Sequence, residues 1–517
     1  MLVFKGKKEI WVKLCWALLL AGIFLLALKA FQGRQNKTVS SSDTVTMGYT
    51  QFPANIDPVK EYNGWFTVRY GVGETLFKMD DQLQIQPWLA TKGEQLSPLE
   101  WEITIRQGVR FHDGSLMTPQ TVKESLEHLL ASNQRAAGEL MIKQMTATDH
   151  TLRIKTKEPQ PVLLNLLADP YSTILHVGAK ESTGKSVVAT GPYQMTAFRP
   201  ENGASLKAFH NYWNGAPKVQ KVEIRSFSDA TSMSLAIDAG EIDAAYGMPA
   251  LNLASYRQKK GYRISEVDGA RYLSYVYNFR DPWMQDKTLR KAIDLVVDRK
   301  AYSQSLFQKG SQATSGPFPS RFPFALEEPV PNANAKEAEK LLDQAGYLKK
   351  ADGFRYKDGK KVTLTTLSYE RLPEIPLAVQ ATQAALKKIG IDVKIRTVEV
   401  GSIAAAEDYS FTPYTMVATP VGDPYPFFKS SLASDGSVNL GKYKSNKVDQ
   451  LIKTLGTEGN QEKRQEMSKD LQREIQEDLP ISFLVTFKVA VIMNDRVSGL
   501  TSSASDYYHI TNQLTKE

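Results

Sequence analysis

The sequence contains little of the side-chain chemistry on which most metal sites and many enzymes depend. Its 517 residues include one cysteine, Cys15, and six histidines. A single thiol excludes a disulfide within the chain and a zinc site built from several cysteines. The histidines are dispersed, and none lies between residues 269 and 484. We therefore predict no metal site built by the protein alone, and no cofactor.

Recognisable catalytic motifs are also missing. The sequence has neither H-E-x-x-H nor G-x-S-x-G. Gly184-Lys185-Ser186 resembles the end of a phosphate-binding loop, but five residues separate it from Gly178, where that loop requires four. The sequence therefore predicts a protein that is not an enzyme.

The positive charge of the chain does not indicate a nucleic-acid partner. The formal net charge is +8, and five lysines and one glutamate within the first 30 residues contribute half of it. The remainder has no dense basic block and no aromatic–basic RNA motif, so we expect no nucleic-acid binding. A composition of 42% apolar and 23% charged residues is typical of a folded protein, and the length predicts two or three domains.

The longest apolar run lies near the N-terminus. Lysines at positions 5 to 13 precede the uninterrupted apolar run 14–28, as in a signal peptide. Together with residues 10–12 the run is also long enough for a short transmembrane helix. Lys29 makes a poor cleavage site, so residues 1–30 are either a signal peptide or a retained membrane anchor. The lysines before the run predict that the following domain lies outside the cytoplasm.

Periodic patterns predict an α/β protein that begins after a polar linker at 31–43. Trp101, Ile103 and Ile105 alternate with polar residues as in a half-buried strand, and Thr118-Pro119 is typical of a helix start. Asp358-Gly359 predicts a hairpin turn. Further strands are predicted at 44–49, 149–157, 222–226 and 391–395. Helices are predicted at 289–297, 335–345 and 377–389. Asp286, Arg290 and Asp294 are spaced for an ion-pair set on one helix face.

Seven segments, in collinear order, resemble the signature of one protein family. They are WEITIRQGVRFHDGSLMT (101–118), ATGPYQMTAF with HNYWNGAPKVQKVEI (189–224), DATSMSLAIDAGEIDAAYG (229–247), YNFRDPWMQDKTLRKAIDLVVDR (277–299), AEKLLDQAGY (338–347), LKKIGIDVKI (386–395) and YKSNKVDQLI (443–452). The family is the peptide- and nickel-binding solute receptors of ABC importers, bacterial extracellular solute-binding family 5.

This resemblance implies a two-lobed periplasmic-binding-protein fold of class II type, with mixed sheets and an additional small domain. Lobe one is expected from 44–75 with 187–268 and 485–517, the additional domain from 76–186, and lobe two from 269–484. Such receptors enclose a small ligand between the lobes, and closure presents a surface to a membrane permease and its ATPase. We expect a monomer at the outer face of the membrane or in the periplasm.

The resemblance leaves two ligand classes open. YNGWFTVRYGVGETLFK (62–78) resembles the opening of nickel and metallophore receptors, and LLASNQRAAGEL (129–140) resembles the helix end that carries their ligand-binding arginine. That residue would be Arg135, whose planar fork suits a chelator's carboxylate, although a solvated helix terminus would explain it equally simply. A chelate of nickel or a related metal is the first hypothesis, and an oligopeptide or dipeptide is the alternative. A signalling role in place of uptake also remains open.

Two further regions supply candidate ligand contacts. Residues 419–443 are rich in Gly, Pro, Ser and Asp, which predicts a loop, and they include Asp423, Tyr425 and Asn439. Tyr62 and Trp65 offer flat amphipathic surfaces from the other lobe. A purely structural loop is the competing interpretation for each residue of 419–443. With no histidine in the expected lobe two, the chelator rather than the protein would supply most of the metal ligands.

Overall fold

The computed structural model of the chain describes residues 43–179 and 187–517. The predicted signal peptide or anchor at 1–30, nearly all of the linker and Gly184-Lys185-Ser186 lie outside these ranges. Residues Thr44–Glu517 form one compact unit. Of the helices in the described ranges, none has the length and apolar character needed to cross a bilayer.

The helices and strands of the described ranges alternate along the chain. The strands are β1 (Thr44–Tyr49), β2 (Phe77–Met79), β3 (Ile85–Pro87), β4 (Ala90–Ser97), β5 (Glu100–Ile105), β6 (Ile142–Ala147), β7 (Thr151–Thr156), β8 (Tyr193–Arg199), β9 (Gly203–Ala208), β10 (Lys221–Ser226), β11 (Ala244–Tyr246), β12 (Tyr262–Tyr277), β13 (Ser311–Ala313), β14 (Leu348–Lys349), β15 (Arg355–Lys357), β16 (Lys360–Lys361), β17 (Thr363–Ser368), β18 (Asp392–Thr397), β19 (Phe411–Val417), β20 (Ile481–Asn494), β21 (Val497–Ser498) and β22 (Thr515–Lys516). The α-helices are α1 (Asn63–Arg69), α2 (Pro119–Ser132), α3 (Gln134–Leu140), α4 (Leu163–Leu166), α5 (Ala230–Asp238), α6 (Ala250–Tyr256), α7 (Pro282–Gln285), α8 (Lys287–Val296), α9 (Arg299–Ala301), α10 (Ala335–Gln344), α11 (Glu374–Lys388), α12 (Tyr425–Ser431), α13 (Asn446–Thr457) and α14 (Gln461–Asp478).

The largest sheet in the described ranges has eleven strands in the order β18-β17-β19-β12-β20-β11-β1-β10-β9-β8, with β13 also paired to β20. Parallel pairs such as β1–β10 and β17–β18 are combined with antiparallel pairs such as β12–β20, so the sheet is mixed. We call β1 with β8–β11 the β1 side, and β17–β19 the β17 side. The long strands β12 and β20 belong to both sides and join them.

The join is bent where these two strands lose register. Their pairing shifts between Asp268 and Tyr272 and again between Leu273 and Ser274. Bulges of this kind kink a strand and increase its twist. Gly269 lies inside the bend, where a Cβ atom would come within 2.8 Å of the Phe487 carbonyl oxygen. The bend therefore requires a residue without a side chain at this point.

Separate apolar cores lie on the two sides of the bend. Residues between 270 and 487 supply most of the largest cluster of buried apolar side chains. A second cluster joins the β1 side to a four-stranded antiparallel sheet, β4-β5-β7-β6, on which α2 packs. A smaller third cluster lies under α5 and α6. Parts with their own cores are the units that move as rigid bodies in hinge-bending proteins.

Local sequence signals predicted these elements well. In β5, the side chains of Trp101, Ile103 and Ile105 are buried as their alternation predicts, and Thr118 caps α2 by accepting a hydrogen bond from the Thr121 amide. The turn at Asp358-Gly359 joins β15 to β16 with positive φ at both residues. These features depend on neighbours in sequence, which is why the sequence alone predicts them.

The predicted ion-pair set on α8 is wrong. Arg290 donates to the backbone carbonyl oxygens of Met284, Gln285, Asp478 and Leu479, not to either aspartate. Asp286 instead binds Lys357, and Asp294 binds Arg299. Helix spacing correctly placed the three residues on α8 and its cap. Buried carbonyl groups from another element competed for the guanidinium, and the helix pattern carries no information about them.

One buried carboxylate ties the β1 side to the region of the four-stranded sheet. Glu74 Oε1 accepts hydrogen bonds from Trp88 Nε1 at 2.8 Å and the Tyr212 hydroxyl at 2.6 Å. Its Oε2 accepts from the Thr190 hydroxyl at 2.8 Å and Trp213 Nε1 at 3.2 Å. Four donors from distant points of the chain therefore converge on a side chain that is only 5% exposed.

Replacing Glu74 by glutamine tests this junction. In Glu74→Gln, the side-chain NH₂ group would face hydrogen-bond donors and could not accept from them. We therefore expect the free energy of unfolding to fall by about 3 kcal/mol. The urea midpoint, measured by circular dichroism, should shift accordingly. Glu127→Gln, on the exposed face of α2 beside Lys123, is the matched control and should shift it little. Equal midpoints for the two variants would contradict the assignment.

His112 gives the fold a defined pH dependence. Its ring is buried, with Nε2 at 3.0 Å from the Gly191 carbonyl oxygen, and burial lowers the pKa of His112 to about 4. The unfolded chain has a histidine pKa near 6.5, so it binds the extra proton first as pH falls. Stability should therefore be complete above about pH 6.5 and decline progressively toward pH 4. His112→Gln should flatten this part of the stability curve, whereas replacement of exposed His150 by glutamine should leave it unchanged.

Candidate functional site

A polar cluster occupies the bend, and its centre is a carboxylate near the C-terminus. Asp506 pairs with Arg69 of α1 and accepts a hydrogen bond from the Tyr246 hydroxyl at the end of β11. The Arg69 Nε atom also donates to the Asp506 carbonyl oxygen at 2.8 Å. Asp506 and Tyr508 both have positive φ, 65° and 60°, which is unusual outside glycine. The backbone is therefore held in a strained turn that aims Asp506 at Arg69.

Aromatic rings surround this ion pair on the β1 side. The ring centroids of Tyr49 and Tyr70 lie 5.3 Å apart, and those of Tyr246 and His509 lie 4.3 Å apart. Burial lowers the pKa of His509, against the opposing effect of the neighbouring Asp506. Within the described ranges, the Tyr49 and Tyr70 hydroxyl groups and Arg69 Nη1 are buried without a hydrogen-bond partner. Such a concentration of unsatisfied polar atoms marks a place where the protein holds water or ligand atoms.

Two further arginines approach the cluster from the bend and from the β17 side. Arg271 lies on β12 within the first register shift, between Asp268 and Tyr272, and Arg371 follows β17. Burial lowers the pKa of Arg271, and the positive charges of Arg371 and Arg69 lower it further, against the opposing effect of Asp506. Among the described residues, neither Arg271 nor Arg371 has a hydrogen-bonding or ion-pairing partner for its guanidinium group. The cluster is therefore positively charged where the two sides meet.

Residues of both sides line the same space and touch each other. Burial raises the pKa of Tyr414 on β19, and the positive charge of Arg371 opposes this effect. The Tyr507 hydroxyl donates to the Pro420 carbonyl oxygen at 3.2 Å, and Asn165 Nδ2 donates to that of Val421 at 2.9 Å. These contacts close the two sides over the polar cluster.

Three of the predicted site residues lie together near this space. Arg135 of α3 donates to Asp169 at 2.7 Å and Glu139 at 3.0 Å, and its guanidinium lies 5.6 Å from the centroid of the Tyr62 ring. Tyr62 is 61% exposed and, with Arg135, lines a cavity of about 390 Å³. Trp65 lies 5.8 Å from Tyr62 and 5.5 Å from the Arg69 guanidinium. Trp65 thus connects the Arg135 cavity to the Asp506 cluster.

The other three predicted residues, all in the segment 419–443, make contacts with the chain itself, within the segment or with the helices that follow it. Asp423 is buried and pairs with Arg464 through contacts of 2.7, 2.8 and 3.1 Å. Asn439 Nδ2 donates to the carbonyl oxygens of Ala433 and Tyr443, and its Oδ1 accepts from the Tyr443 amide. The Tyr425 ring packs on Gly456. These residues brace the segment, which contains the helix α12 and is not a continuous loop as predicted.

The sequence interpretation missed Arg69, Tyr246, Arg271, Arg371, Asp506 and His509. A usable signal existed for one of them: Arg271 interrupts GARYLSYVYNF, a run of otherwise apolar and aromatic residues in a strand that is buried on both faces. A charge in such a strand needs a partner or a ligand. The pairing of Arg69 with Asp506, 437 residues later, has no local signal. Within the described ranges, no group of three or more His, Cys, Asp or Glu side chains could hold a metal ion.

Asn439 offers a direct test of its structural role. Asn439→Ala removes three hydrogen bonds from a buried turn, and we expect the free energy of unfolding to fall by about 2 kcal/mol. Ser437→Ala, at an exposed position of the same turn, should leave it unchanged within error. A folded Asn439→Ala protein that lost ligand binding at unchanged stability would contradict this assignment.

The sequence and the fold are both similar to those of known solute-binding proteins. The family described as bacterial extracellular solute-binding proteins, family 5 (middle region), matches residues 84–439, more than half of the chain. The nickel-binding protein NikA of Staphylococcus aureus is 26% identical over 467 residues, which cover 90% of this chain and 93% of that protein. The crystal structure of S. aureus NikA in complex with Ni(L-His)2 is similar with a TM-score of 0.77 at 25% identity, over 92% of this chain and all of that one.

Two further relatives have names that refer to nickel and to oligopeptides, respectively. The structure of a nickel ABC transporter protein from Bacillus halodurans has a TM-score of 0.81 at 28% identity and covers 92% of this chain and all of that one. The oligopeptide-binding protein AppA of Bacillus subtilis is 26% identical over 453 residues, 82% of each chain.

Proposed function

Because the chain belongs to the bacterial extracellular solute-binding proteins of family 5, we propose that it captures a nickel chelate between two lobes and delivers it to the permease of an ABC importer. Its fold is the mixed α/β, two-lobed periplasmic-binding-protein fold of that family. The observation that carries the proposal is the polar, aromatic-lined cluster to which both sides of the bent sheet contribute. Such clefts between rigid parts are where ligands of moderate size are enclosed.

We propose the domain boundaries that the motifs suggest. Lobe one comprises 44–75, 187–268 and 485–517, the additional domain 76–186, and lobe two 269–484. The register shifts of β12 between Asp268 and Tyr272, and the matching region of β20, support a hinge at these boundaries. The contact of Tyr507 with Pro420 is then one between lobe one and lobe two, and that of Asn165 with Val421 is one between the additional domain and lobe two; both would form on closure.

The charge of the cleft favours a ligand with carboxylate groups. The guanidinium groups of Arg271 and Arg371 have no hydrogen-bonding or ion-pairing partner among the described residues, whereas the carboxylate of Asp506 is already engaged by the Arg69 guanidinium and the Tyr246 hydroxyl. A free peptide carries an ammonium group at its N-terminus, which needs an acidic partner on burial. A chelator offers carboxylates to the guanidinium groups, which bind them with two parallel hydrogen bonds.

A chelated metal also accounts for the absence of a protein-built metal site among the described residues. The organic shell would supply the metal ligands, and the protein would recognise the shell through Arg135, Tyr62 and Trp65 as well as the cluster at the bend. The named ligand of S. aureus NikA, Ni(L-His)2, is a chelate of this kind. The similarity to AppA keeps oligopeptides as the alternative. In either case we propose that the protein works as a monomer at the outer face of the membrane.

Calorimetry with the full-length protein in mild detergent would test the ligand class. We expect binding of Ni(L-His)2 and other nickel chelates, and no binding of free Ni²⁺ or of a mixture of tri- to pentapeptides. Arg135→Ala should weaken chelate binding about tenfold, equivalent to about 1.4 kcal/mol, because a charge-assisted contact is lost. Arg153→Ala, which removes an exposed arginine of β7 paired with Glu102, is the control. If the protein binds metal-free peptides and no nickel chelate, it belongs instead to the peptide-binding branch of the family.

A further inference from the structure

A cavity of about 410 Å³ lies beside the bend, where β13 pairs with β20. It shares no lining residue with the polar cluster or with the Arg135 cavity. Among the described residues, no acidic side chain lines it, whereas three lysines do: Lys300, Lys309 and Lys488. We call it the lysine cavity. Its composition indicates a site for an anion, separate from the cleft.

Two of the three lysines have no carboxylate partner. The exposed ammonium group of Lys309 has no hydrogen-bonding or ion-pairing partner among the described residues. Lys300 Nζ donates to Asn332 Oδ1 at 2.7 Å, and this amide oxygen carries no charge that would neutralise the lysine. The positive charges of these two side chains are therefore available to a ligand in the cavity.

The third lysine lies near carboxylates that have other partners. Lys488 Nζ is 3.4 Å from Glu266 Oε2, but the Glu266 carboxylate is held more closely by Arg257, through contacts of 2.7 and 2.9 Å. Asp268 accepts a hydrogen bond at 2.8 Å from Gln312, which also lines the cavity. These two carboxylates, one of them shared with Arg257, do not offset three lysines, so the cavity keeps a net positive charge.

A buried hydroxyl group of the cavity wall also lacks a partner. Ser311 lines the cavity and is only 3% exposed, and its hydroxyl makes no hydrogen bond with any described residue. Its carbonyl oxygen, by contrast, accepts from the Ser303 hydroxyl at 2.6 Å. Burying a hydroxyl without a partner is unfavourable. An acceptor atom bound in the cavity would supply the partner that the chain does not.

The chain that carries Lys309 is held in an unusual conformation. It follows a single π-helical turn, Tyr302–Leu306, and φ is positive at both Gln308 and Lys309, 47° and 64°. Gly310 then packs on Ala250 at the start of α6, where a Cβ atom on Gly310 would lie 2.2 Å from that of Ala250. Single π-helical turns and strained backbone both occur frequently at functional sites. The packing of Gly310 fixes the position of the lysine that precedes it.

We propose that the lysine cavity binds a phosphate-type oxyanion, free or as part of a small phosphate ester, through its three ammonium groups and the Ser311 hydroxyl. Ammonium groups bind phosphate as point charges, and phosphate oxygens also accept from hydroxyl groups. By the domain boundaries proposed above, Lys488 belongs to lobe one and the other two lysines to lobe two, so a bound oxyanion bridges the hinge. The site does not depend on which ligand the cleft takes.

Calorimetric titration of the full-length protein in mild detergent tests this site. The probes are inorganic phosphate, pyrophosphate and glycerophosphoglycerol, with chloride as the background anion at low ionic strength. We expect binding that weakens with added sodium chloride. Lys309→Gln should weaken it about fivefold without changing the melting temperature, because the Lys309 ammonium has no partner in the chain. Ser311→Ala should weaken it about threefold and should not lower the melting temperature, because the lost hydroxyl has no internal hydrogen bond.

Lys336→Gln is the charge-matched control. Lys336 is exposed on α10 and does not line the cavity, so this variant should bind phosphate as wild type does. Stronger binding of the two inorganic anions would identify a free oxyanion as the ligand, and stronger binding of glycerophosphoglycerol would identify the headgroup of a phospholipid.

Three results would overturn the inference. They are no binding of any probe above the chloride background, unchanged binding in Lys309→Gln and Ser311→Ala, and loss of binding in Arg135→Ala, which would place the anion in the cleft. Failure of the protein to bind any nickel chelate would overturn the proposed function and leave this site unaffected.

Discussion

The buried carboxylate of Glu74 is the constraint on which the β1 side depends. Its four donors come from the strand connection at Trp88, from Thr190 in the segment before β8, and from Tyr212 and Trp213 after β9. Three of these donors belong to the segments that resemble the family signature. One of the seven signature segments, 189–224, therefore supplies three of the four hydrogen bonds of this junction. Gly191 belongs to the same junction, because a Cβ there would lie 2.4 Å from the Gly71 carbonyl oxygen.

Glu74 and Arg271 represent opposite states of a charged side chain: Glu74 is buried, whereas Arg271 is partly exposed. Every lone-pair direction of Glu74 is occupied by a donor of the chain, so the charge contributes to a fixed geometry. The guanidinium of Arg271 has no such set among the described residues, so its compensation must come from elsewhere. Complete satisfaction by the chain thus marks an architectural charge, whereas a charge that is satisfied only in part can still bind a ligand. By this criterion Asp423 and Arg464, which satisfy each other, belong with Glu74.

The sequence predicted the fold well and the site only in part. The motif series identified the family and its two-lobed fold, and local rules placed the Thr118 cap and the Asp358-Gly359 turn, because those features depend on adjacent residues. Asn439 and Arg290 show where such reasoning stops. Both are polar residues in segments with the expected character, but their partners are backbone groups whose positions follow from packing. Composition predicted a continuous binding loop at 419–443, but the segment contains the helix α12, and Asp423 and Asn439 bind groups of the chain that composition could not locate.

The central position of β20 has a consequence for the order in which the molecule assembles. This strand, residues 481–494, pairs with β11, β12 and β13, and so with partners on both sides of the bend. Asp506 follows it and completes the cluster with Arg69 from near the start of the compact unit. Contacts of such long sequence separation form late in folding. A chain still being synthesised from its N-terminus has neither a joined sheet nor a complete pocket wall, so it cannot sequester ligand before its last fifty residues are in place.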